Sequence, residues 1–282
     1  MIRAYYSGRK GLNVTLMKKV WIVALSFAVL LIGSVPTNLP AAAESEDLFS
    51  YVADFNDVDA VNEHFAAFYL TQFMGALTPE QVGTEASPIT HWVAKDGVLS
   101  RVGDIRPDEG SQNIAMLFFK DRRFLNFELT VDIMQGSDSI LWAPICIRTE
   151  EMGKHYAAEG CSFYFDVDGT FKTWGNGCHG GPFLIGRMDN YSPTAWHTYK
   201  ITVSGSYMTI MVDDTTMLCR LPAFFYHAGY VSILSVNNNT KVRNFSIREL
   251  PDTGVAPSDF PAKQGFEAST APDSLDNLIV GT

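Results

Sequence analysis

The sequence lacks several features that would fix a function class at once. It has no uninterrupted apolar run of the roughly 20 residues that a membrane-spanning helix needs. Its six His show neither an HExxH motif nor a paired zinc spacing. Neither a nucleophile elbow around a Ser nor a Gly-rich phosphate loop is present. Zinc proteases, serine hydrolases and P-loop nucleotide enzymes are therefore poor candidates.

Basic residues are also scarce. The 282 residues contain 21 Lys and Arg against 31 Asp and Glu. Five of the basic residues and none of the acidic ones lie in residues 1–43, so the remaining chain carries a net charge of −15. An acidic chain is repelled by nucleic acid and by anionic membrane surfaces. We expect neither as a partner.

The amino-terminal segment has the parts of a secretory signal peptide. Lys18 and Lys19 precede an apolar run over residues 20–35, and Ala41, Ala42 and Ala43 supply a small-residue cleavage site. We predict a signal peptide over residues 1–43, with Met17 as an alternative start and a membrane anchor as the alternative reading. The mature protein is then a secreted bacterial protein, free or attached to the cell surface, with no membrane span left after cleavage.

The carboxyl-terminal segment differs in composition from the rest. Residues 251–282 are rich in Pro, Asp, Ser, Ala and Gly, which predicts a flexible tail. Residues 250–254 read LPDTG and fit a sortase pattern, but no apolar span follows in the sequence given. The sequence leaves open whether this match is functional. The predicted folded domain is residues 44–250.

Residues 160–181 show the strand pattern most clearly. Apolar Cys161, Phe163, Phe165 and Val167 alternate with polar or amphipathic residues, which is typical of a half-buried strand. Asp168-Gly169 then predicts a tight turn, with Val167 opposite Thr170, and a returning strand over residues 170–174. The pattern therefore predicts a hairpin with one face toward a core.

Further short strands follow throughout the chain. They are predicted at residues 91–103 around an Asp96-Gly97 turn, and at 113–119, 127–133, 141–148, 196–203, 207–212, 215–219, 229–235 and 241–250. Only residues 58–77 have helical spacing. Many short strands separated by turn residues predict an all-β fold, a two-sheet jelly-roll sandwich.

The order of these strands resembles the concanavalin A-like lectin/glucanase superfamily. The segments that carry the resemblance are HWVAKDGVLS, KDRRFLNFELTVDI, ILWAPICIRTE, GCSFYFDVDG, AWHTYKITVSGSYMTIMVDD and GYVSILSVNNNTKVRNFSIREL, within residues 49–250. The closest family by this comparison is the 3-keto-disaccharide hydrolase-like domain. The resemblance implies a concanavalin A-like sandwich whose concave sheet carries a glycan-binding groove.

The central strand departs from the pattern GYEVQIDD that is common in that family. Cys161 stands in place of the Tyr, Ser162 in place of the Glu and Tyr164 in place of the Gln, while Asp166 keeps an acid. The ExDxxE-type strand of the glucanases, which places two carboxylates close together, is missing. Glu128 and Asp132 are too far apart for that chemistry and predict a solvated strand face.

Sugar binding needs aromatic faces and polar side chains on one surface. The predicted ligand-binding residues are Tyr164, Trp142, Trp174, Arg148, Ser162 and Asp166. Packing in the core is the alternative role for each aromatic ring. If the protein is an enzyme, the catalytic set predicted for a glycoside hydrolase is Asp166, Arg148 and His179.

The four Cys all follow residue 43, so disulfides are possible in an exported chain. We predict Cys161 paired with Cys178 and Cys146 paired with Cys219, with free buried thiols as the alternative. No cofactor or metal is predicted from the motifs. Calcium remains an option because related lectin-like folds often bind it, and Cys178-His179 alone does not make a metal site.

Three functions fit these observations. The first is a secreted glycan-binding protein, with a glycan or small saccharide as partner and without strong catalysis. The second is a glycoside hydrolase of the 3-keto-disaccharide hydrolase-like type. The third is an extracellular protein-interaction or structural module. The oligomeric state is left open.

Overall fold

The computed structural model describes residues 47–73, 82–103, 111–136, 142–154, 160–174, 183–205, 207–214, 216–222, 227–236 and 238–252. The predicted signal peptide, His179, Cys178 and all but the start of the predicted tail lie outside these ranges. In this part of the chain no helix is both long and apolar enough to cross a membrane.

The described residues form two antiparallel sheets of eight strands each, which confirms the predicted all-β sandwich. Sheet A has the order β14-β13-β12-β7-β16-β5-β4, and β1 pairs with β16. Sheet B has the order β11-β10-β9-β8-β15-β6-β2-β3. The bounds are β1 Ser50–Val52, β2 Phe65–Phe73, β3 Thr84–Ala86, β4 Trp92–Lys95, β5 Val98–Arg101, β6 Ser111–Phe124, β7 Phe127–Met134, β8 Ile145–Thr149, β9 Cys161–Phe165, β10 Thr170–Trp174, β11 Phe183–Arg187, β12 His197–Ser204, β13 Tyr207–Val212, β14 Thr216–Pro222, β15 Gly229–Val236 and β16 Lys241–Glu249.

The predicted helical segment is only partly helical. One helix, α1, spans Val58–His64, and the Asp57 side chain caps it by accepting from the Asp59 backbone N–H at 2.9 Å. From Phe65 the chain becomes β2 instead. Phe65 and Ala67 face the core between the sheets, whereas Phe68 packs on the other side of sheet B. A strand that is buried on both faces loses its alternation and can imitate helical spacing.

Sheet B is buried on its inner face and on the part of its outer face formed by β6, β8 and β15, whereas sheet A is buried on its inner face. The inner faces meet in a continuous apolar core that includes Leu99, Val131, Phe163 and Ile201. The outer face of sheet B carries a second buried cluster, formed by Ile114, Met116, Phe118, Cys146, Leu234 and Val236. The outer face of sheet A carries charged and polar side chains, among them the Glu128–Arg248 pair. The solvated face predicted for Glu128 and Asp132 is therefore confirmed for Glu128 and wrong for Asp132, which is 6% exposed.

The two predicted tight turns are both present, but one has a different length. Asp96 and Gly97 have φ of 53° and 75° and join β4 to β5 with Lys95 opposite Val98, as predicted. In the β9–β10 hairpin, Phe165 lies opposite Phe171 and the Asp166 N–H donates to the Thr170 carbonyl at 2.8 Å. The loop thus contains residues 167–169 rather than two residues. The extra residue is what lets Phe171 share the core face with Phe165.

A β-bulge in β8 directs the Arg148 side chain toward the end of the sandwich. Tyr230 pairs with Thr149 and Ser232 with Cys146, so two residues of β8 oppose one residue of β15. Arg148 occupies the bulge at φ 56° and is 2% exposed. Two neighbouring glycines make room, because a Cβ at Gly160 would collide with the Ile147 carbonyl oxygen and one at Gly229 with the Arg148 backbone.

Substituting Gly160 with Ala tests whether the bulge needs this close approach. We expect Gly160→Ala to lower the free energy of unfolding by at least about 3 kcal/mol, because the new methyl group meets backbone and φ is 68°. Gly97→Ala is the matched control. Its φ is also positive, but the only nearby atom is Asn56 Oδ1 at 3.8 Å, so we expect a loss of about 1 kcal/mol. Denaturant unfolding of both variants makes the comparison, and equal losses would contradict the steric argument.

Candidate functional site

The outer face of sheet B holds most of the predicted ligand-binding residues. Ser162 and Tyr164 point to this face from β9, since their neighbours Cys161, Phe163 and Phe165 belong to the inner core. Trp174 lies opposite Ser162 in the β9–β10 register, and only its backbone is described. Ser162 and Tyr164 are 0% and 1% exposed. They thus line the site from beneath rather than from the surface.

A group of four side chains at one end of this face, which we name the Asp166 cluster, reaches solvent. The Trp142 indole Nε1–H donates to Asp166 Oδ1 at 2.5 Å, and the Lys172 ammonium bonds to Asp166 Oδ2. The Trp142 and Tyr164 rings are in contact, with centroids 5.1 Å apart. Asp166 and Lys172 keep 22% and 30% of their side-chain surface exposed, and Trp142 is half-buried. The cluster therefore presents an aromatic ring, a carboxylate and an ammonium together.

Lys172 is the member of the cluster that sequence reasoning missed. It lies directly opposite Tyr164 on β10. The expected two-residue turn would have placed Phe165 opposite Lys172, on the core face. A three-residue hairpin loop ending in Gly169 was the signal that would have found it, because such loops commonly carry Gly at the left-handed position.

Arg148 does not lie on this face, so the structure does not group it with the other predicted ligand-binding residues, and its role in ligand binding stays a prediction. Strand parity placed it on the same side as Cys146, but the bulge reverses its direction. Its Nη2 group donates to the carbonyls of Leu125 at 2.9 Å and Gly205 at 2.7 Å, in the turns β6–β7 and β12–β13. The guanidinium thus bonds to turns of both sheets at the end of the sandwich.

The alternative catalytic set is not assembled by the described residues. Asp166 bonds to Trp142 and Lys172, Arg148 bonds to the Leu125 and Gly205 carbonyls, and His179 lies outside the described ranges. Along the β8–β9 pair, the register places Asp166 level with Trp142, six positions from Arg148, which is roughly 20 Å of strand. These two side chains therefore do not share a reaction centre.

The cysteines are only partly as predicted. Cys146 is a free, buried thiol, so the predicted Cys146–Cys219 disulfide is wrong. The physical reason is direction, because Cys146 points to the outer face of sheet B while Cys219 lies on β14 of sheet A. Burial raises the pKa of the Cys146 thiol, which keeps it protonated. The Cys161–Cys178 pairing involves a residue outside the described ranges and stays a prediction.

A metal site and a ligand cavity make further requirements of the described residues. There, no three His, Cys, Asp or Glu side chains lie close enough together to hold a metal ion. A cavity of about 330 Å³ lies between α1, β2 and β3, lined by Asn62, Phe65 and Ser87 among others. None of the predicted ligand-binding residues line it. It is therefore separate from the Asp166 cluster.

Removing the Arg148 charge tests its structural role. We expect Arg148→Met to lower the free energy of unfolding by about 3 kcal/mol, because two buried carbonyls lose a charged donor. Arg248→Met is the control on an exposed ion pair, where we expect a change below about 1 kcal/mol. Chemical denaturation measures both. An Arg148→Met protein as stable as the parent would show that the network is dispensable.

Comparisons with solved structures find similar proteins at low sequence identity. No curated protein matches the chain. Among solved structures, the Ca²⁺-bound exoplasmic/lumenal domain of VIP36 is 9% identical with a TM-score of 0.46, over 76% of this chain and 97% of that one. A provisionally assigned glycosyl hydrolase from Parabacteroides distasonis ATCC 8503 is 12% identical with a TM-score of 0.42, over 60% and 86%. The carbohydrate-binding module CBM66 from Bacillus subtilis is 14% identical with a TM-score of 0.38, over 53% and 94%. Identities this low carry no residue roles from one chain to another.

The family comparison is more specific. The sequence model of the galactocerebrosidase C-terminal lectin domain matches residues 108–250, which is just over half of the chain. This range begins just before β6 and ends just after β16, so it contains the Asp166 cluster and the Arg148 bulge. The chain belongs to the family of the galactocerebrosidase C-terminal lectin domain.

Proposed function

We propose that this protein is an exported carbohydrate-binding β-sandwich that holds a glycan at the Asp166 cluster. Membership of a lectin-domain family supports the class of ligand. The observation that carries the proposal is the partly exposed carboxylate–ammonium pair of Asp166 and Lys172, with the Trp142 ring against it. Export is supported by the signal-peptide pattern over residues 1–43.

The chemistry of the cluster suits sugar hydroxyls. Each Asp166 oxygen accepts one bond within the cluster, and a carboxylate has further lone pairs for hydroxyl donors. The Lys172 ammonium has further N–H groups for hydroxyl acceptors. A half-buried indole supplies apolar surface for the C–H face of a sugar ring. Tyr164 supports that indole from beneath, which holds it in position.

Binding without strong catalysis fits the cluster better than hydrolysis. Glycosidases generally need two carboxyl groups flanking the scissile bond. Asp166 supplies one, and Ser162 stands where the 3-keto-disaccharide hydrolase-like pattern has a Glu. A hydrolase of that type is the alternative, favoured by the retained acid at Asp166. The distance of Arg148 from that acid weighs against it.

A protein-interaction or structural module is the third reading. Gly83 and Gly153 lie directly against Phe68, and the Gly83 N–H donates to the Gly153 carbonyl at 2.8 Å. These two segments therefore cover the outer face of sheet B above β2 and β6. The Asp166 cluster lies on the β8, β9 and β10 side of the same sheet, away from this cover. The cover over β2 and β6 favours a structural role for that part of the outer face of sheet B, and not for the part that carries the Asp166 cluster.

A glycan array with the purified chain, run with and without calcium, tests the proposal. We expect binding to selected glycans, weakened at least about tenfold in Trp142→Ala and Lys172→Ala, because each removes contact area or a charged donor. Lys200→Ala is the control, since it removes a similarly paired, exposed Lys on sheet A. Unfolding temperatures of all variants exclude misfolding as the cause.

The outcomes separate the three readings. Hits that depend on Trp142 and Lys172 support a sugar-binding site at the cluster, and a requirement for calcium would add a metal to it. Cleavage of an array hit would support the hydrolase. No binding by a folded chain, or binding that both variants retain in full, would contradict the proposed function.

A further inference from the structure

Arg243, on the outer face of sheet A, is a partly exposed arginine whose side chain is held by two neighbouring side chains. Arg243 Nε donates to Asp132 Oδ2 at 3.0 Å, and the guanidinium carbon lies 4.2 Å from the centroid of the Trp196 ring. The Arg243 side chain is 39% exposed, whereas that of Asp132 is 8% exposed. A surface guanidinium is thus anchored on one side by a buried carboxylate and on one face by an indole.

The Asp132 carboxylate accepts hydrogen bonds from two further side chains besides Arg243. Thr198 Oγ1 donates to Asp132 Oδ1 at 2.6 Å, and Asn244 Nδ2 donates to Oδ2 at 2.7 Å. These two donors come from different strands, β12 and β16. The carboxylate therefore has three protein partners and is an anchor for Arg243, not a free binding group.

A second bulge brings Arg243 and Asn244 to the same carboxylate. Arg243 lies opposite Asp132 and Ser246 opposite Thr130, so β16 has one extra residue here. Asn244 takes up this residue at φ 53°, a backbone that non-Gly residues rarely adopt. Without the bulge, consecutive side chains would point to opposite faces. Strained backbone kept at a surface cluster is itself a pointer to function.

The anchoring leaves the recognising edge of the guanidinium available. Only Nε is used by Asp132, and within the described ranges no carboxylate, carbonyl or hydroxyl contacts the two terminal nitrogens of Arg243. Arg248 on the same strand differs, because both its Nε and Nη2 bond to Glu128. The exposed Asn244 also keeps its amide oxygen as an acceptor beside Arg243.

We infer that Arg243 and Asn244 form a second saccharide site that recognises a uronic acid. The planar terminal edge of the guanidinium matches a planar carboxylate through two parallel N–H···O bonds. The Asn244 amide oxygen accepts from a neighbouring sugar hydroxyl. Because Nε, the ring face and the backbone are already fixed, little side-chain entropy is lost when the acid binds.

This site goes beyond the proposed function and is separate from it in space. It lies on the outer face of sheet A, whereas the Asp166 cluster lies on the outer face of sheet B. Neutral glycans test the Asp166 cluster and uronates test Arg243, so either proposal can fail while the other holds.

Titration of the full chain with a galacturonic acid trisaccharide tests the inference, with calorimetry as the readout. The matched ligand is the same trisaccharide as its methyl ester, which keeps the shape and removes the charge. We expect the ester to bind the parent protein at least about tenfold more weakly than the acid does, because it lacks the charge. We expect the acid to bind Arg243→Lys at least about tenfold more weakly than it binds the parent, because Lys keeps the charge but cannot form two parallel hydrogen bonds to a carboxylate. Arg248→Lys is the control and should bind the acid as the parent does.

A second variant protects the test against misfolding. Asn244→Gly suits the positive φ and removes the amide acceptor, so we expect a folded protein with weaker uronate binding. Equal affinity for acid and ester, full binding by Arg243→Lys, or no binding at millimolar ligand would each overturn the inference. Inorganic sulfate that competes as well as the trisaccharide would also overturn it, because the group would then be an anion site without sugar recognition.

Discussion

The burial of the Arg148 guanidinium is the constraint on which the rest of this sandwich depends. A buried charge is costly unless donors and acceptors match, and here the turns supply the acceptors. Leu125 and Gly205 offer their carbonyls from the turns β6–β7 and β12–β13. The Gly205 N–H donates to Asn126 Oδ1 at 2.8 Å, and Leu250 N–H donates to the Asn126 carbonyl at 2.9 Å. Arg148 and Asn126 thus together tie the turns at this end of the sandwich to each other, and Asn126 also holds the chain just after β16.

This constraint also limits where function can reside. Because Arg148 is used inside the fold, the outer face of sheet B lacks the cation expected there, and Lys172 takes that place beside Asp166. With Lys172 in place of Arg148, the charged side chains of the proposed site lie at the end of sheet B that carries the β9–β10 hairpin. A carboxylate paired to an ammonium can hold sugar hydroxyls, as we propose for this cluster. The lectin-domain family and the local chemistry therefore point in the same direction.

Much of the fold could be predicted from sequence because most strands obey simple alternation. The bounds of β13 and the Asp96-Gly97 turn follow directly from side-chain period and from residues that accept positive φ. Two of the three failures have one physical origin, which is a change of register. The hairpin loop has one residue more than its Asp-Gly signal predicts, and Arg148 occupies a bulge that the letters ICIRTE do not reveal. The third failure is the start of β2, where Phe65 packs in the inner core and Phe68 on the outer face of sheet B, so simple alternation is lost.

The β16 bulge shows that some register changes do leave a trace. Val242, Phe245 and Ile247 are all buried in the core, yet the first interval is three residues and the second is two. A strand can satisfy both intervals only by inserting a residue, so the break in alternation marks the bulge at Asn244. The two bulges have opposite effects on the side chains they redirect. In β8 the bulge directs Arg148 inward, where its guanidinium donates to backbone carbonyls. In β16 the bulge directs Asn244 outward, beside the partly exposed Arg243. Candidate sites in a sandwich of this kind are therefore better sought where alternation breaks on an exposed face than along its regular strands.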